Sequence, residues 1–248
     1  MRLLKQSFYI CALISLLLGG FYLLYYSVNE SGATCYDGRK NQGETSADCG
    51  GPCQPCEENL QIVLKEKKIF PHTDIGRTSF FVELNNPSSS FWVQNFNYKL
   101  NVYDKAGLQI SSFSGFSSIP PADSRKLAII AADINPSDIL RVDLGVESPN
   151  WMPVKQYIAD NISVHGVNVL KDENKFSVNG SLKNNSPDKI LEIAVGAVFK
   201  DDKGESVGIS VAQVKELPAF SSDDFEIFWR SEGEIVDIDK TEVFVEKR

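Results

Sequence analysis

The longest apolar stretch of the chain lies near its N-terminus and predicts a membrane-spanning helix. Residues 8–26 are 19 positions without a charged side chain, and at a rise of about 1.5 Å per residue they nearly cross a hydrocarbon core of about 30 Å. Arg2 and Lys5 precede the stretch. Because basic residues favour the cytoplasmic side, we predict a cytoplasmic tip at residues 1–7, a transmembrane helix at residues 8–27 and an extracytoplasmic remainder.

A cleaved signal peptide is the alternative interpretation of this stretch. Ser31, Gly32 and Ala33 are small residues of the type found before a signal-peptidase cleavage site. The apolar stretch is longer than the roughly 7–15 residues of a usual signal peptide, which favours a retained anchor. Under either interpretation, the residues after Ser27 are exported.

Alternating apolar and polar positions after Cys56 predict two copies of one β-rich module. The alternating segment 79–84 recurs at 177–182, which is 98 residues later, and the segment 96–102 recurs at 193–199, which is 97 residues later. Two such offsets, almost identical, indicate an internal repeat rather than chance.

The alternation also assigns side chains to faces, because a period of two predicts strands with one buried face. In the first segment Phe80, Val82 and Leu84 form the apolar face. Phe81 and Glu83 fall on the opposite face, which a one-sided sheet leaves outside the core.

Short polar turns separate the predicted strands. Asp104 and Asp201 open two of these turns, and Gly107 and Gly204 end them. The pattern is typical of hairpins, because glycine adopts the positive φ that a tight turn requires. No helical periodicity follows residue 57, so regular strands and polar turns favour antiparallel sandwiches.

We therefore predict an all-β fold after the N-terminal transmembrane helix and a short disulfide-rich segment. It consists of two tandem immunoglobulin- or fibronectin-like antiparallel β-sandwiches, at residues 58–150 and 151–248, with about seven strands each. The cysteines of antibody domains are absent from these modules, so packing must stabilise them.

The segment at residues 28–57 is rich in cysteine, glycine and proline and nearly free of apolar side chains. Its four cysteines are Cys35, Cys49, Cys53 and Cys56. An even number of exported cysteines predicts two disulfides, because so short a segment cannot bury a core. The spacing leaves all three pairings open. The fifth cysteine, Cys11, lies in the apolar stretch.

The segment has features of three other functional classes. Cys53-x-x-Cys56 is half of a zinc motif, but Cys35 and Cys49 do not form a matching half. A thioredoxin-like pair would need a flanking strand and helix, which the pattern does not predict. Oxygen ligands for calcium are the remaining candidates, and they are Asp37, Asn41, Glu44 and Asp48. Their spacing is not that of an EF-hand, so no cofactor is predicted beyond calcium as a candidate.

Two motifs resemble those of known bacterial surface proteins. The pattern CxDGxxNxxExxxDCGGxCxxC, over residues 35–56, resembles a cysteine motif of membrane-anchored surface proteins from candidate-phyla (patescibacterial) bacteria. The segments 102–107 and 119–121 resemble parts of FxLYD-type immunoglobulin-like modules. The resemblances imply an exported location and an immunoglobulin-like fold, and they imply no biochemical role.

Composition and charge exclude several function classes. The 248 residues include 33 acidic and 25 basic side chains, which give a net charge of −8. This balance argues against a nucleic-acid partner, because such binding depends on clustered Lys and Arg. His72 and His165 are the only histidines, and neither lies in a catalytic motif. We therefore predict that the protein is not an enzyme.

An aromatic patch is the remaining candidate for a functional surface. Phe91, Trp92, Phe113 and Phe116 lie in serine-rich surroundings, where exposed aromatic side chains would mark an interaction site. The favoured alternative is that they belong to the core. We predict a single-pass, membrane-anchored, extracytoplasmic structural or protein-interaction module. Its partner would be a protein or another component of the cell envelope. The alternative is a calcium- or ligand-binding surface receptor or adhesin.

Overall fold

A computed structural model shows two compact units, residues 1–58 and residues 59–248. The structure describes residues 6, 13–22, 25, 35, 37–53, 56, 60–72, 75–159 and 161–247. In the first unit, residues 13–22 are helical and exposed. Among the described residues, no helix is both long and apolar enough to span a membrane. The other residues of the predicted transmembrane segment 8–27, except residue 25, lie outside the described residues.

The second unit is all-β, as the alternation predicted. Its described residues form twelve strands: β1 Val63–His72, β2 Arg77–Asn85, β3 Phe91–Asp104, β4 Gln109–Ile119, β5 Ser124–Ala132, β6 Ile139–Pro153, β7 Ile162–Asp172, β8 Lys175–Asn184, β9 Ile190–Lys200, β10 Ser206–Leu217, β11 Ser222–Arg230 and β12 Asp237–Lys247. Two single-turn 3₁₀ helices, Pro136–Asp138 and Val154–Gln156, flank β6.

The twelve strands form four antiparallel three-stranded sheets. Their orders are β1-β2-β5, β4-β3-β6, β11-β8-β7 and β10-β9-β12. The first two sheets enclose one core and the last two enclose another, so β1–β6 form a sandwich, module 1, and β7–β12 form module 2. Each module therefore has six strands rather than about seven. Strands β2 and β8 are the central strands of corresponding sheets in the two modules, and so are β3 and β9. This is the equivalence that the repeat predicted.

The predicted boundary at residue 150 falls inside strand β6. This strand continues to Pro153, and its last residues pair with the start of β3, where Trp151 lies opposite Val93. Trp151 also packs against the core of module 1. The chain therefore leaves module 1 only after Pro153.

A buried asparagine fixes the same corner in both modules. Asn86 is fully buried, and its Nδ2 donates to the carbonyl oxygens of Phe91 at 2.8 Å and Pro120 at 3.0 Å. Asn184, 98 residues later, donates in the same way to the carbonyl oxygens of Leu217 and Pro218, at 3.2 and 3.0 Å. Buried carbonyl groups need hydrogen-bond donors. The amides of Asn86 and Asn184 therefore stabilise the turns that follow β2 and β8.

A third core lies between the two modules. Phe70, Phe81 and Ala128 of module 1 pack against Val198 and Ile209 of module 2. Sheet β1-β2-β5 is therefore covered on both faces, by its own module on one side and by sheet β10-β9-β12 on the other. The modules are packed side by side through this apolar layer.

The third core overturns the expectation that β2 has only one buried face. Phe81 is 1% exposed, and Ser79 and Glu83 on the same face are also buried. The reason is that module 2 covers the face that alternation assigned to the surface. The buried carboxylate of Glu83 forms an ion pair with Lys65, whose Nζ lies 2.7 Å from its Oε1.

Polar contacts border the apolar layer between the modules. Lys68 of β1 forms an ion pair with Glu205 at 2.9 Å. Lys126 of β5 lies 3.0 Å from the carboxylate of Glu242 on β12, and Lys200 of β9 binds the second oxygen of that carboxylate. One carboxylate of module 2 thus joins two lysines from different modules.

This cluster predicts acid-sensitive packing between the modules. Partial burial raises the pKa of Glu242, but hydrogen bonds and charges of Lys200 and Lys126 lower it by more, so the folded-state pKa lies below the ordinary value. The stabilisation that the Glu242 carboxylate provides is complete above its unfolded-state pKa of about 4.3. It is lost as the pH falls through the lower pKa that Glu242 has in the folded state.

We expect Glu242→Gln to lower the free energy of unfolding by about 1 kcal/mol or less near neutral pH, since the group is partly exposed. The difference from the parent should shrink as the pH falls below about 4, where the parent carboxylate also becomes neutral. Urea unfolding of both chains over this pH range measures the difference. A difference that does not change with pH would contradict the assignment.

Candidate functional site

Two clefts lie along the line where the modules meet, with volumes of about 770 and 640 Å³. Ile130 of β5 lines both clefts, so they are neighbours along one edge of the interface. We call the two clefts together the inter-module groove. Strands β5 and β10 contribute to both clefts, and each is an edge strand of its sheet. Part of the groove therefore follows backbone that pairs with no further strand among the described residues.

The smaller cleft lies between β4 and the face of module 2. Phe113 and Phe116 form the wall on module 1, Ala128–Ile130 of β5 form the floor, and Val211 and Gln213 of β10 form the opposite wall. Phe116 is 70% exposed. An aromatic side chain this exposed on a cleft is typical of a binding surface.

A glycine sets the shape of the β4 wall. A Cβ at Gly115 would lie 2.6 Å from the hydroxyl oxygen of Tyr98, so the strand lies close to this ring only because the side chain is absent. Phe113, on the same strand, packs against the core of module 1, and its ring centroid lies 5.8 Å from that of Phe80. The wall is therefore held by core contacts and does not depend on a ligand.

The larger cleft lies between the turn after β1 and the end of β11. Phe228 and Trp229 line it together with Ile209 and His72. Phe228 is 66% exposed. The turn after β11 closes the cleft. Oγ of Ser231 lies 2.9 Å from both the backbone oxygen and a carboxylate oxygen of Glu234, and its one hydroxyl hydrogen is donated to this pair of acceptors, which holds the turn in place.

Both histidines contact a serine, but neither arrangement is a catalytic triad. Nε2 of His72 lies 2.7 Å from Oγ of Ser79, which also accepts the backbone N–H of Ala131 at 2.9 Å. Ser79 is fully buried, so its hydroxyl cannot meet a substrate. Nε2 of His165 lies 2.8 Å from Oγ of Ser163 on the same strand. Within the described residues, neither imidazole is hydrogen-bonded to a carboxylate that would orient it.

The four aromatic candidates do not form one surface. Phe91 is 5% exposed and belongs to the interior, which corrects its assignment to a surface; the Asn86 amide on its carbonyl holds the start of β3 against the core. Trp92 is half-buried and meets Tyr157 edge-on, with centroids 5.1 Å apart. Only Phe113 and Phe116 lie together, and they do so in the groove.

In the first unit, the cysteine segment contains two disulfides, as predicted. They join Cys35 to Cys53 and Cys49 to Cys56. The two glycines after Cys49 are required by the backbone, because Gly50 and Gly51 have φ of 80° and 58°. A Cβ on Gly51 would also lie 2.4 Å from the carbonyl oxygen of Gly43, so the chain folds tightly on itself here.

Three of the four candidate calcium ligands, Asp37, Glu44 and Asp48, accept backbone N–H groups. The fourth, Asn41, donates its Nδ2 to Asp37, and its Oδ1 is buried without a hydrogen-bond partner among the described residues. Oδ1 of Asp48 accepts the N–H groups of Asp37 and Gly38 at 2.8 and 3.0 Å. Oε2 of Glu44 accepts those of Asn41 and Asp48 at 3.0 and 3.3 Å. Such carboxylates stabilise turns by satisfying donors. Among the residues that the structure describes, no group of three or more His, Cys, Asp or Glu side chains is arranged to hold a metal ion.

Comparisons with known proteins add little to this description. No protein-family model and no curated protein matches the chain. Among solved structures, it is similar to red sea bream transglutaminase with a TM-score of 0.24 and 11% identity, over 76% of this chain and 31% of that one. The chain thus spans less than a third of that structure, and a similarity of this size carries no inference about fold or activity.

Most of the groove could not be predicted from the sequence, because its lining residues come from two modules whose packing the alternation does not report. Phe228 and Ile209 line it, yet nothing in the alternation of one strand indicates a neighbouring module. One signal was available in β9. Its residues 193–199 read IAVGAVF, a continuous run of apolar side chains and glycine, which is typical of a strand buried on both faces.

Proposed function

We propose that this chain is a single-pass membrane protein that presents two packed β-sandwiches outside the membrane as a non-enzymatic protein-interaction module. The uncharged stretch at residues 8–27, with Arg2 and Lys5 before it, supports the anchor and its orientation. The two disulfides support an oxidising compartment for the residues that follow.

The inter-module groove is the observation that carries the interaction function. It has exposed aromatic side chains, Phe116 and Phe228, and apolar residues between them. Its floor includes part of β5, whose outer edge pairs with none of the strands that the structure describes. An extended polypeptide can add to such an edge through main-chain hydrogen bonds while apolar pockets take alternate side chains. We therefore propose an extended segment of a cell-envelope protein as the ligand.

The relationship of the modules to immunoglobulin-like domains is part of the proposal. Two facing antiparallel sheets, hairpins with an Asp-to-Gly turn, and the segments that resemble FxLYD-type modules support it. In both hairpins the first Asp caps the turn, since Oδ1 of Asp104 accepts the N–H of Leu108 and Oδ1 of Asp201 accepts that of Glu205, both at 2.8 Å.

Site-specific photocrosslinking in intact cells tests the groove. A benzophenone side chain replaces Gln213, which is exposed on a wall of the groove, or Leu140, which is exposed on β6 and does not line it. We expect an adduct with another protein from position 213 that is absent from position 140 and is reduced at least about fivefold by Phe228→Ser, which removes an exposed aromatic contact. Equal adducts from both positions, or none from position 213, would refute the groove as the binding site.

The topology has its own test. A membrane-impermeant amine reagent on intact cells should label exposed lysines of the modules, such as Lys203, and should leave Lys5 unlabelled, while permeabilised cells label both. Labelling of Lys5 in intact cells, or protection of Lys203 there, would contradict the proposed orientation.

A further inference from the structure

A buried carboxylate without a cationic partner lies in the cysteine segment. Glu44 is 6% exposed, and no Lys, Arg or His side chain among the described residues forms an ion pair with it. Burying a charged group costs free energy unless a partner compensates the charge. Glu83, which is 4% exposed, has such a partner in Lys65. The charge of Glu44 is therefore left unbalanced by the side chains that the structure describes.

The two oxygens of the Glu44 carboxylate have different surroundings. Oε2 accepts the backbone N–H groups of Asn41 and Asp48. Oε1 lies 3.1 Å from Sγ of Cys53, but this sulfur is bonded to Sγ of Cys35 and has no hydrogen to donate. Oε1 is thus left without a hydrogen-bond donor among the described residues.

A second buried oxygen in the same loop also lacks a donor. The side-chain amide of Asn41 donates from Nδ2 to Oδ2 of Asp37 at 3.0 Å, which fixes the orientation of the amide. Its Oδ1 is buried and has no hydrogen-bond partner in the part of the chain that the structure describes. The N–H of Asn41 donates to Oε2 of Glu44, and the N–H of Glu44 donates to the carbonyl oxygen of Asn41. The two unsatisfied oxygens therefore belong to neighbouring groups.

The other acidic side chains of the loop already accept hydrogen bonds on both oxygens. Those of Asp48 accept the N–H groups of residues 37 and 38. Those of Asp37 accept the N–H of Arg39 and the side-chain amide of Asn41. Buried polar atoms in native proteins nearly always have a partner, so two oxygens without one in a single loop indicate a bound group that supplies it.

We propose that Glu44 and Asn41 bind a calcium ion through Oε1 and Oδ1, with water completing the coordination shell. Oxygens of carboxylates, side-chain amides and water are the ligands that Ca²⁺ prefers. The ion satisfies both oxygens and also balances the buried charge, whereas a water molecule would do only the first. Two of the four residues that the sequence offers as calcium ligands thus bind the ion, and Asp37 and Asp48 shape the loop.

The disulfide between Cys35 and Cys53 is part of this site. A Cys53 thiol would have a hydrogen to donate to Oε1 of Glu44, and the disulfide removes it. Calcium therefore fits the oxidised segment. With one carboxylate the site is weak, and we expect a Kd of about 0.1–1 mM, the range of extracellular calcium modules. The site lies in the first unit and does not depend on the inter-module groove.

Isothermal titration calorimetry of the full chain in detergent with calcium chloride tests the site. We expect one site in the parent and binding at least about tenfold weaker in Glu44→Gln, because the variant lacks the buried charge. Glutamine keeps an oxygen for the N–H groups of Asn41 and Asp48, so the loop can stay folded. Glu226→Gln is the matched control, because it removes an exposed carboxylate of module 2, and it should bind as the parent does.

Three results of the titration would overturn the proposal. A parent that binds no calcium would show that a proton on Oε1 of Glu44 satisfies both oxygens instead. A Glu44→Gln chain that binds like the parent would place the ion elsewhere. Equal weakening by Glu44→Gln and Glu226→Gln would show that calcium only screens the negative charge of the chain.

Limited trypsin digestion locates the ion. Arg39 and Lys40 are exposed next to Asn41, and cleavage there should slow about tenfold when calcium is raised to ten times its Kd, since the ion stabilises the closed loop. Glu44→Gln should show no such change. Cleavage at the exposed Lys203 of module 2 in the same digest corrects for any effect of calcium on the protease. Calcium binding that leaves cleavage at Arg39 and Lys40 unchanged would also overturn the proposal, and none of these results bears on the groove.

Discussion

Phe81→Ala is expected to lower the free energy of unfolding by about 3–5 kcal/mol, the usual cost of removing a buried phenylalanine side chain. Phe81 is 1% exposed, and its contacts lie in the layer between the modules. If the modules were independent, this face of β2 would be in water and the same substitution would cost little. The variant therefore tests the packing between the modules.

Guanidinium chloride unfolding of the full chain in detergent, followed by tryptophan fluorescence, measures the change. Phe228→Ala is the matched control, because Phe228 is 66% exposed on a strand and its removal should change the free energy by about 0.5 kcal/mol or less. Trp151 belongs to module 1 and Trp229 to module 2, so the fluorescence reports on both modules. Because the third core packs the modules together, the parent should unfold in one transition. Equal effects of the two substitutions would show that the modules are not packed as described.

The double variant Cys35→Ser with Cys53→Ser is expected to unfold the cysteine segment and to leave the modules folded. The disulfide closes a loop with a sequence separation of 18, which corresponds to about 3 kcal/mol in the chain-entropy account. The segment has almost no apolar residues to replace this contribution, since its described side chains are mostly exposed.

Limited trypsin digestion measures this effect at Arg39 and Lys40, which are exposed within the loop. Cleavage there should be about a hundredfold faster in the double variant, because cleavage follows the population of the open loop. Cys11→Ser is the control, because it removes a cysteine that forms neither of these disulfides. Unchanged cleavage at Arg39 and Lys40 in the double variant would show that the loop does not depend on the disulfide.

The strands and the repeat could be predicted from sequence because they depend on local alternation. Phe80, Val82 and Leu84 lie in the core of module 1, as the period of two indicated. The same pattern could not place Phe81, because alternation reports the difference between two faces of a strand and does not report what covers the second face. The burial of that face depends on residues more than 100 positions away, such as Val198 and Ile209.

The sites were harder to predict because they depend on turns. Spacing allowed three disulfide pairings, and the pairing Cys35–Cys53 depends on the positive φ angles of Gly50 and Gly51, which turn the chain back. The acidic residues of the motif are candidates for calcium by residue type, and the structure shows that Asp48 accepts backbone N–H groups. Residue type alone could not separate the two uses of a carboxylate.

The contact between the modules joins non-equivalent sheets, and this has a consequence for assembly. Module 1 uses sheet β1-β2-β5, whereas module 2 uses sheet β10-β9-β12, the counterpart of β4-β3-β6. A contact of this kind does not close on itself and would add module after module in an open stack. At the matching positions of the two outer sheets, Asn101 stands where β9 has Val198 and Asn179 stands where β2 has Phe81. Neither outer sheet therefore has the apolar side chain that its counterpart places in the third core.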